Sequence, residues 1–427
     1  MIGVMIGSGI FRTPPEIAKH LASPTLILLA RVLGGALSLA GALTYTELAT
    51  MFPQSGGIYV FLREGYGRAT AFVFGWTYML VTKPAAAAGI AFVSAENINL
   101  LLGTHWNVRI TTSVILAVLT GLNILGVRSS TRLGVVLTAL KLLALLAIVV
   151  LGLMHALDVV HLGDTRPLPH WPASSDPPRS LWSAIAPVMA AVMWTYDGWS
   201  DVGAIAGEVK TPSRTLPRLF AINTLAVTAL YVGVNAIYLF LVPLDTMRGM
   251  DNIAPHALGL LLGSAGATAV TVIIILSTVG SSHASVMTGA RVSFAQARDG
   301  LLFGFLGKVH PRFQTPYVSL LVQLALSLLA VWLLGTFSKL ADSFVFTMWI
   351  FYGLAGLAIF LLRARRPAAE RPFRCPGYPV VPALFVLSAL AMTVLAIADN
   401  PWVCAAWIRV ILLGFPVFGA WDTLRRN

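Results

Sequence analysis

Charge is what this 427-residue chain has least of. Asp, Glu, Lys and Arg together make up 11% of it, against about 25% in a typical soluble domain. Hydrophobic residues make up 57%, and the mean hydropathy is +0.82. So few charges cannot cover the surface of a water-soluble globule of this size. That excludes a soluble enzyme and puts the bulk of the chain in lipid. Cysteine is nearly missing: Cys375 and Cys404 are the only two, which excludes a thiolate metal cluster and a multi-bridge extracellular scaffold, and no redox chemistry is implied. Acidic residues are scarcer than basic ones, 17 against 29. The resulting +12 fits the cytoplasmic loops of a membrane protein rather than a nucleic-acid surface. The apolar runs also lack the clustered carboxylates, metal-ligand set or activated nucleophile of an intramembrane enzyme acting on lipid-linked substrates. They show no continuous polar lining or filter of the kind a channel would use.

What is present is a series of apolar runs, each long enough to cross roughly 30 Å of hydrocarbon. Charged or Pro/Gly-rich breaks mark off twelve: 1–21, 25–49, 69–102, 109–126, 134–153, 181–206, 217–242, 261–297, 316–335, 340–362, 379–397 and 402–422. The runs 69–102 and 261–297 exceed one crossing, which predicts tilt or continuation into the cytoplasm. The opening apolar run has no basic leader or small-residue cleavage site, so no cleavable signal peptide is expected. Lys and Arg concentrate in the loops that are inner if the N-terminus is cytoplasmic, five arginines falling between Arg363 and Arg374. The positive-inside rule therefore places both termini in the cytoplasm.

Two spans do not read as ordinary helices. Gly7-Ser8-Gly9 interrupts the first, followed by Pro14-Pro15; Trp194-Thr195-Tyr196-Asp197-Gly198 interrupts the sixth. Non-helical backbone at membrane depth is tolerated only where it lines a buried cavity. If the two breaks are counterparts, the repeat is five spans long. An odd repeat must enter the membrane from the opposite side the second time, giving two inverted halves. This divides the chain into a first repeat (1–153), an extracellular loop (154–180), an inverted second repeat (181–362), a basic cytoplasmic loop (363–378), and spans 11 and 12 with a short C-terminus (379–427).

Each candidate residue has a plain reading and a functional one. Gly7 and Gly9 are either a packing surface or a place where the backbone of Ile6 to Gly9 meets an anionic group at a half-helix N-terminus, with Ser8 adding a hydroxyl. Thr13-Pro14-Pro15-Glu16 also reads as a capping box opening a helix at Pro14. Freed carbonyls around Trp194, Thr195 and Tyr196 would accept bonds from an ammonium group. Asp197 either caps the broken end or meets a substrate ammonium or coupling proton. Trp194 is either packing or a gate. Lys141, in the middle of the fifth span, needs an internal partner. Carbonyls of the broken first span and hydroxyls of Ser281 and Ser282 are the partners the repeat suggests. Lys83-Pro84 poses the same question and reads as structural. His283 reads as hydrogen-bonded packing, Glu47 as a partner of Arg63 or Arg68, and Asp299 and Glu208 as solvated charge partners.

At this point the sequence resembles the amino acid–polyamine–organocation superfamily, and within it the L-type amino acid transporter family. The carriers of the resemblance are Gly7-Ser8-Gly9-Ile10-Phe11, Tyr45-Thr46-Glu47-Leu48 through Gly57-Ile58-Tyr59, Lys83-Pro84 where the family often has Arg-Pro, and Tyr196-Asp197-Gly198-Trp199. Further along stand Glu208-Val209-Lys210-Thr211-Pro212, Ala297-Arg298-Asp299-Gly300, and Pro372-Phe373-Arg374. The resemblance implies an all-α polytopic membrane protein with about 12 helices. It implies a leucine-transporter-like 5+5 inverted repeat with two discontinuous helices and two appended ones, with alternating access by a bundle of spans 1, 2, 6 and 7. It places the substrate at Ile6, Gly7, Ser8, Gly9, Trp194, Thr195, Tyr196 and Asp197, and the sodium-substituting lysine at Lys141. Similar transporters have a fuller inner half-helix before the first glycine, which predicts a truncated start. The loop 103–108 has no cysteine, so no disulfide-linked heavy chain is expected. The sequence thus points to a sodium-independent carrier of neutral L-amino acids in the inner membrane, an exchanger or proton-coupled permease with no cofactor and no metal, whose partners are amino acid and lipid. A carrier of cationic amino acids or polyamines is the alternative.

Overall fold

A computed structural model describes residues 5–54, 56–126, 131–157, 159, 181–200 and 211–426. Among them every regular element is helical. Water is absent from the hydrocarbon layer, so each spanning segment must satisfy its backbone polar groups internally, and the helix does so within one segment. The first span is a half-helix, α1 (Gly9–Ala18), preceded by bent backbone at residues 6–8. Then come α2 (Pro24–Met51), a short α3 (Ile58–Tyr66), α4 (Arg68–Thr77) and α5 (Lys83–Leu102). These are followed by α6 (Val108–Ile124), α7 (Thr131–Ala156) and α8 (Leu181–Tyr196). The second half holds α9 (Pro212–Leu241), a five-residue α10 (Leu244–Arg248), α11 (Ala254–Arg298), α12 (Tyr317–Leu334) and α13 (Phe337–Arg365). Two last helices, α14 (Val380–Asp399) and α15 (Pro401–Arg426), complete it. Nine helical stretches of the described residues are long and apolar enough to cross a membrane, and α6 and α8 are shorter apolar helices.

Departures from the simple hydropathy pattern have local causes. The long third span is α4 and α5 joined through a π turn at Tyr78–Thr82. Pro84 has no N–H and would crowd the carbonyl four residues back, and a wide turn relieves both conflicts. The run predicted as 261–297 extends back to Ala254, with a kink at Gly263. The prolines of α1 do not start a new helix. Thr13 bonds through its hydroxyl to the Gly9 carbonyl, 2.8 Å away, so the expected capping box at Pro14 is not formed. Pro15 leaves the Phe11 carbonyl free, and the Ile253 amide donates to it at 3.3 Å.

The helices sort into two groups around the breaks. α1 packs on α8, and α2 packs along α9; α5 packs along α11 and against α6 and α12. α13 packs on α14, and α15 lies against α4. Large apolar side chains such as Leu29, Leu33, Val118, Leu143, Leu333 and Leu387 stand exposed along these helices, which is the surface that lipid covers. Trp182 and Trp402, among the most exposed aromatics, sit at helix starts, where indoles favour the headgroup level.

Candidate functional site

The break in the first span lies at the centre of the protein, and Lys141 reaches it. Its Nζ donates to the Ile6 carbonyl and to Ser281 Oγ, each at 3.0 Å, and the side chain is buried. α7 thereby holds the backbone just before Gly7 against α11. Ser282 does not join this bridge: its hydroxyl donates to the Ala87 carbonyl of α5 at 3.2 Å, because the next residue along a helix faces about 100° away. On the same side of the break, the Tyr231 hydroxyl of α9 donates to the Met5 carbonyl at 2.8 Å. The Ser8 hydroxyl is 2% exposed and has no partner among the described residues. The first amides of α1 have no carbonyl one turn ahead of them, so a hydroxyl and a helix N-terminus converge on one buried point.

The two glycines do different work. A Cβ on Gly7 would meet nothing within 4 Å, whereas one on Gly9 would stand 2.6 Å from the Thr195 Cα. Gly7 is the glycine that leaves open space at the break. Gly9 is the one whose missing side chain lets α1 touch α8.

In the sixth span the helix ends at Tyr196 and turns, with Gly198 at φ +102, a backbone state that side-chain-bearing residues rarely adopt. Residues 201–206 of the predicted span, and Glu208, lie outside the described residues. Asp197 accepts a 2.6 Å bond from the Tyr352 hydroxyl of α13, whose oxygen lies 2.8 Å from Ser200 Oγ. The tyrosine has one hydroxyl proton, committed to the carboxylate, so Ser200 is the donor in the second bond. This holds the carboxylate at the helix break. Trp194 is 8% exposed and meets Phe337 and Phe344 of α13 edge-on, at 5.5 and 5.3 Å. A Cβ on Gly89 of α5 would stand 3.0 Å from the indole, so the ring bridges the sixth span to both the third and the tenth.

Sequence reasoning missed Arg31. Its guanidinium, on α2, is fully buried and donates to Thr13 Oγ1 at 2.8 Å and to Thr195 Oγ1 at 2.9 Å. The two threonine hydroxyls are themselves 2.7 Å apart. Tyr196 donates to the Arg31 carbonyl at 2.9 Å. One residue of span 2 thus joins the half of span 1 that follows the break to the last turn before the break in span 6. The signal that singled out Lys141, an ion inside an apolar run, was present for Arg31 as well.

Ion pairs close both ends. At one end Arg12 of α1 bonds to Glu96 of α5 at 3.0 Å, to Glu16 at 3.1 Å and to Asp251 at 3.1 Å. It also lies over the Phe337 ring at 5.2 Å, on top of the Trp194 contact. Outside this cluster a cavity of about 750 Å³ is lined by Glu96, Asn97, His105, Asp251 and His256 among others. At the opposite end Glu47 of α2 accepts two bonds from Arg363, at 2.9 and 2.7 Å, and one from the Cys375 amide at 2.7 Å. The expected partners of Glu47 are engaged elsewhere: Arg63 bonds Glu64 and Gln54, and no bond joins Arg68 to Glu47. Two further expectations resolve plainly. The Lys83 ammonium lies over the Tyr78 ring at 5.3 Å. His283 is half-buried and makes no hydrogen bond among the described residues, so the expected hydrogen-bonded packing is not found. Cys375 and Cys404 are free thiols.

Comparisons with known proteins bear on the chain as a whole. The serine/threonine exchanger SteT of Bacillus subtilis is 31% identical over 424 residues, covering 98% of this chain and 93% of that protein. The human cystine/glutamate transporter is 30% identical over 439 residues, covering 99% of this chain and 84% of that protein. The mouse Asc-type amino acid transporter 1 is 30% identical over 424 residues, covering 98% and 78%. The family described as amino acid permease matches residues 1–418. A chain of apolar helices with two broken spans facing each other, matched over nearly its whole length in this way, is a multi-pass membrane transporter of amino acids rather than an enzyme, and it belongs to the amino acid permease family.

Proposed function

We propose that this protein is a sodium-independent exchanger of neutral L-amino acids, small hydroxyl-bearing ones first among them, working by alternating access. The observation that carries the reading is the Lys141 bridge from Ile6 to Ser281. A fixed ammonium stands where a carrier driven by a sodium ion would need that ion, between the broken first span and the eighth. The Gly7 amide donates to the Met5 carbonyl at 2.9 Å, so the substrate carboxylate then belongs at the Ser8 and Gly9 amides and the Ser8 hydroxyl, and the substrate ammonium at carbonyls beside the break in span 6. The 5+5 division at residues 153 and 181 follows from the same pair of breaks. The substrates for which the relatives are named, serine and threonine for one and cystine and glutamate for another, make L-threonine the first substrate to try. In this reading the protein sits in the inner membrane with both termini cytoplasmic, since the basic loop 363–378 lies at the Glu47 end, and it works without a disulfide-linked heavy chain.

The Tyr352 hydroxyl bond to the Asp197 carboxylate supports a role at the helix break and favours neutral amino acids over cationic amino acids or polyamines as the main substrates. The test is uptake of radiolabelled L-threonine into proteoliposomes loaded with unlabelled L-threonine or left empty, in sodium or choline buffer. Exchange should need internal amino acid and be indifferent to choline. Strict sodium dependence, or arginine, lysine or putrescine outcompeting every neutral amino acid, would overturn the reading.

A further inference from the structure

Arg31 is an expensive residue for the place it occupies. Its side chain is fully buried, its Nε has no acceptor, and none of the described carboxylates pairs with it. Its two bonds go to neutral hydroxyls, Thr13 and Thr195. If its task were only to staple α1 to α8, the neutral amide of a glutamine would supply the donors without the cost of burying a charge. The charge itself therefore needs an account, and its position supplies one. Thr13 lies one turn from Gly9 and bonds its carbonyl, so the guanidinium sits beside the outer side of the break in span 1. Lys141 stands at Ile6 on the inner side of the same break. Between these two cations lies the positive end of α1. The carboxylate of Asp197 is bonded to Tyr352 of α13 and to neither cation by an ion pair.

We propose that Arg31 is a specificity-determining residue: its buried charge keeps the central site positive, so that the site demands a carboxylate and excludes amino acids whose side chain carries an ammonium. This rests on the exchanger reading above and gives that site its charge selectivity. A zwitterion places its carboxylate among the positive groups and presents its ammonium to the carbonyls of span 6. Among the described carboxylates at the break, Asp197 is already bonded to Tyr352, and a second ammonium on the side chain meets the field of two like charges in a weakly screened interior.

The experiment compares two amino acids in proteoliposomes loaded with labelled L-threonine: external L-norvaline and L-ornithine, which carries one ammonium at the end of the same three-carbon side chain. In the parent protein, ornithine should be at least about tenfold weaker than norvaline, the order of effect of one like charge at this range. Arg31→Lys, which keeps the charge, should keep the gap. Arg31→Gln, which keeps donors and loses the charge, should narrow the gap to about threefold or less, any loss through the α-carboxylate being common to both amino acids and cancelling in their ratio. A structural staple would not discriminate between the two amino acids. An Arg31→Gln protein with the parental gap overturns the proposal. So does a parent that takes ornithine as readily as norvaline, an outcome that needs no variant to fold. A parent that exchanges no neutral amino acid at all is a different result: it overturns the transporter reading first, and this inference with it.

Discussion

The Lys141 ammonium donates to the Ile6 carbonyl at 3.0 Å, across 135 positions of sequence. With Ser281 at the same distance, the contact makes the break in span 1 part of a bridge to span 8, and movement at the break changes the energy of that bridge. Lys141→Ala should slow exchange of L-threonine by roughly tenfold to a hundredfold, the range expected when one or two charge-assisted bonds of about 1.5–3 kcal/mol are lost. Some substrate binding should survive. A folded variant turning over at the parental rate in choline buffer would refute the coupling role.

Gly7 and Gly9 should separate binding from stability. Gly9→Val forces a side chain into the Thr195 backbone and should cost about 1–3 kcal/mol as an overpacked contact, read as a lower melting temperature in detergent. Gly7→Ala adds a methyl in open space and should leave melting unchanged while weakening L-threonine binding. The reverse pattern, a Gly9 variant that melts normally and binds poorly, would return Gly9 to the ligand.

Trp194 rests on Phe337 and Phe344, with Arg12 over Phe337 from the other side. Removing the indole opens the stack that seals the site from the Arg12 side. Trp194→Ala should lower exchange by tenfold or more and shorten retention of bound substrate, since an unsealed site fails to commit its ligand. Parental kinetics in that variant would reduce Trp194 to packing.

Arg12 bonds three carboxylates from three segments. Arg12→Gln leaves Glu96, Glu16 and Asp251 repelling one another, so α1 should separate from α5 more readily. The expected result is a change of several-fold in the external KM with little change in the internal one, because like charges brought together raise the energy of the closed end only. Equal shifts on both faces would show a general folding defect instead.

The opposite end offers a chemical reporter. Burial pushes the Cys375 thiol up to about 11, and its amide is bonded to the buried Glu47 carboxylate. At neutral pH the thiolate is scarce, so N-ethylmaleimide should react slowly. Glu47→Ala leaves Arg363 without its partner. Its cost should be roughly 2–3 kcal/mol, below the full buried-pair value because Arg363 is partly exposed. The loop should loosen and Cys375 should label several-fold faster. Unchanged labelling would mean that Glu47 does not hold this loop.

The amino-acid sequence by itself determined the membrane class, the approximate place of the long apolar helices, the two breaks and the need of Lys141 for an internal partner. These are properties of a segment alone: hydropathy over a helix length, a glycine beside a charge, an ion with no interface in reach. Which atoms meet was decided only by the tertiary structure. Ser281 takes the lysine while Ser282 turns to Ala87, because rotation about α11 separates neighbours that the sequence shows side by side. Glu47 bonds Arg363 rather than the nearer Arg63, because the folded chain brings the end of α13 over the end of α2. Gly9 packs on Thr195, and Arg31 stands between two threonines 182 positions apart, because helix rotation and depth are set by how whole faces pack. Hydropathy carries no record of either.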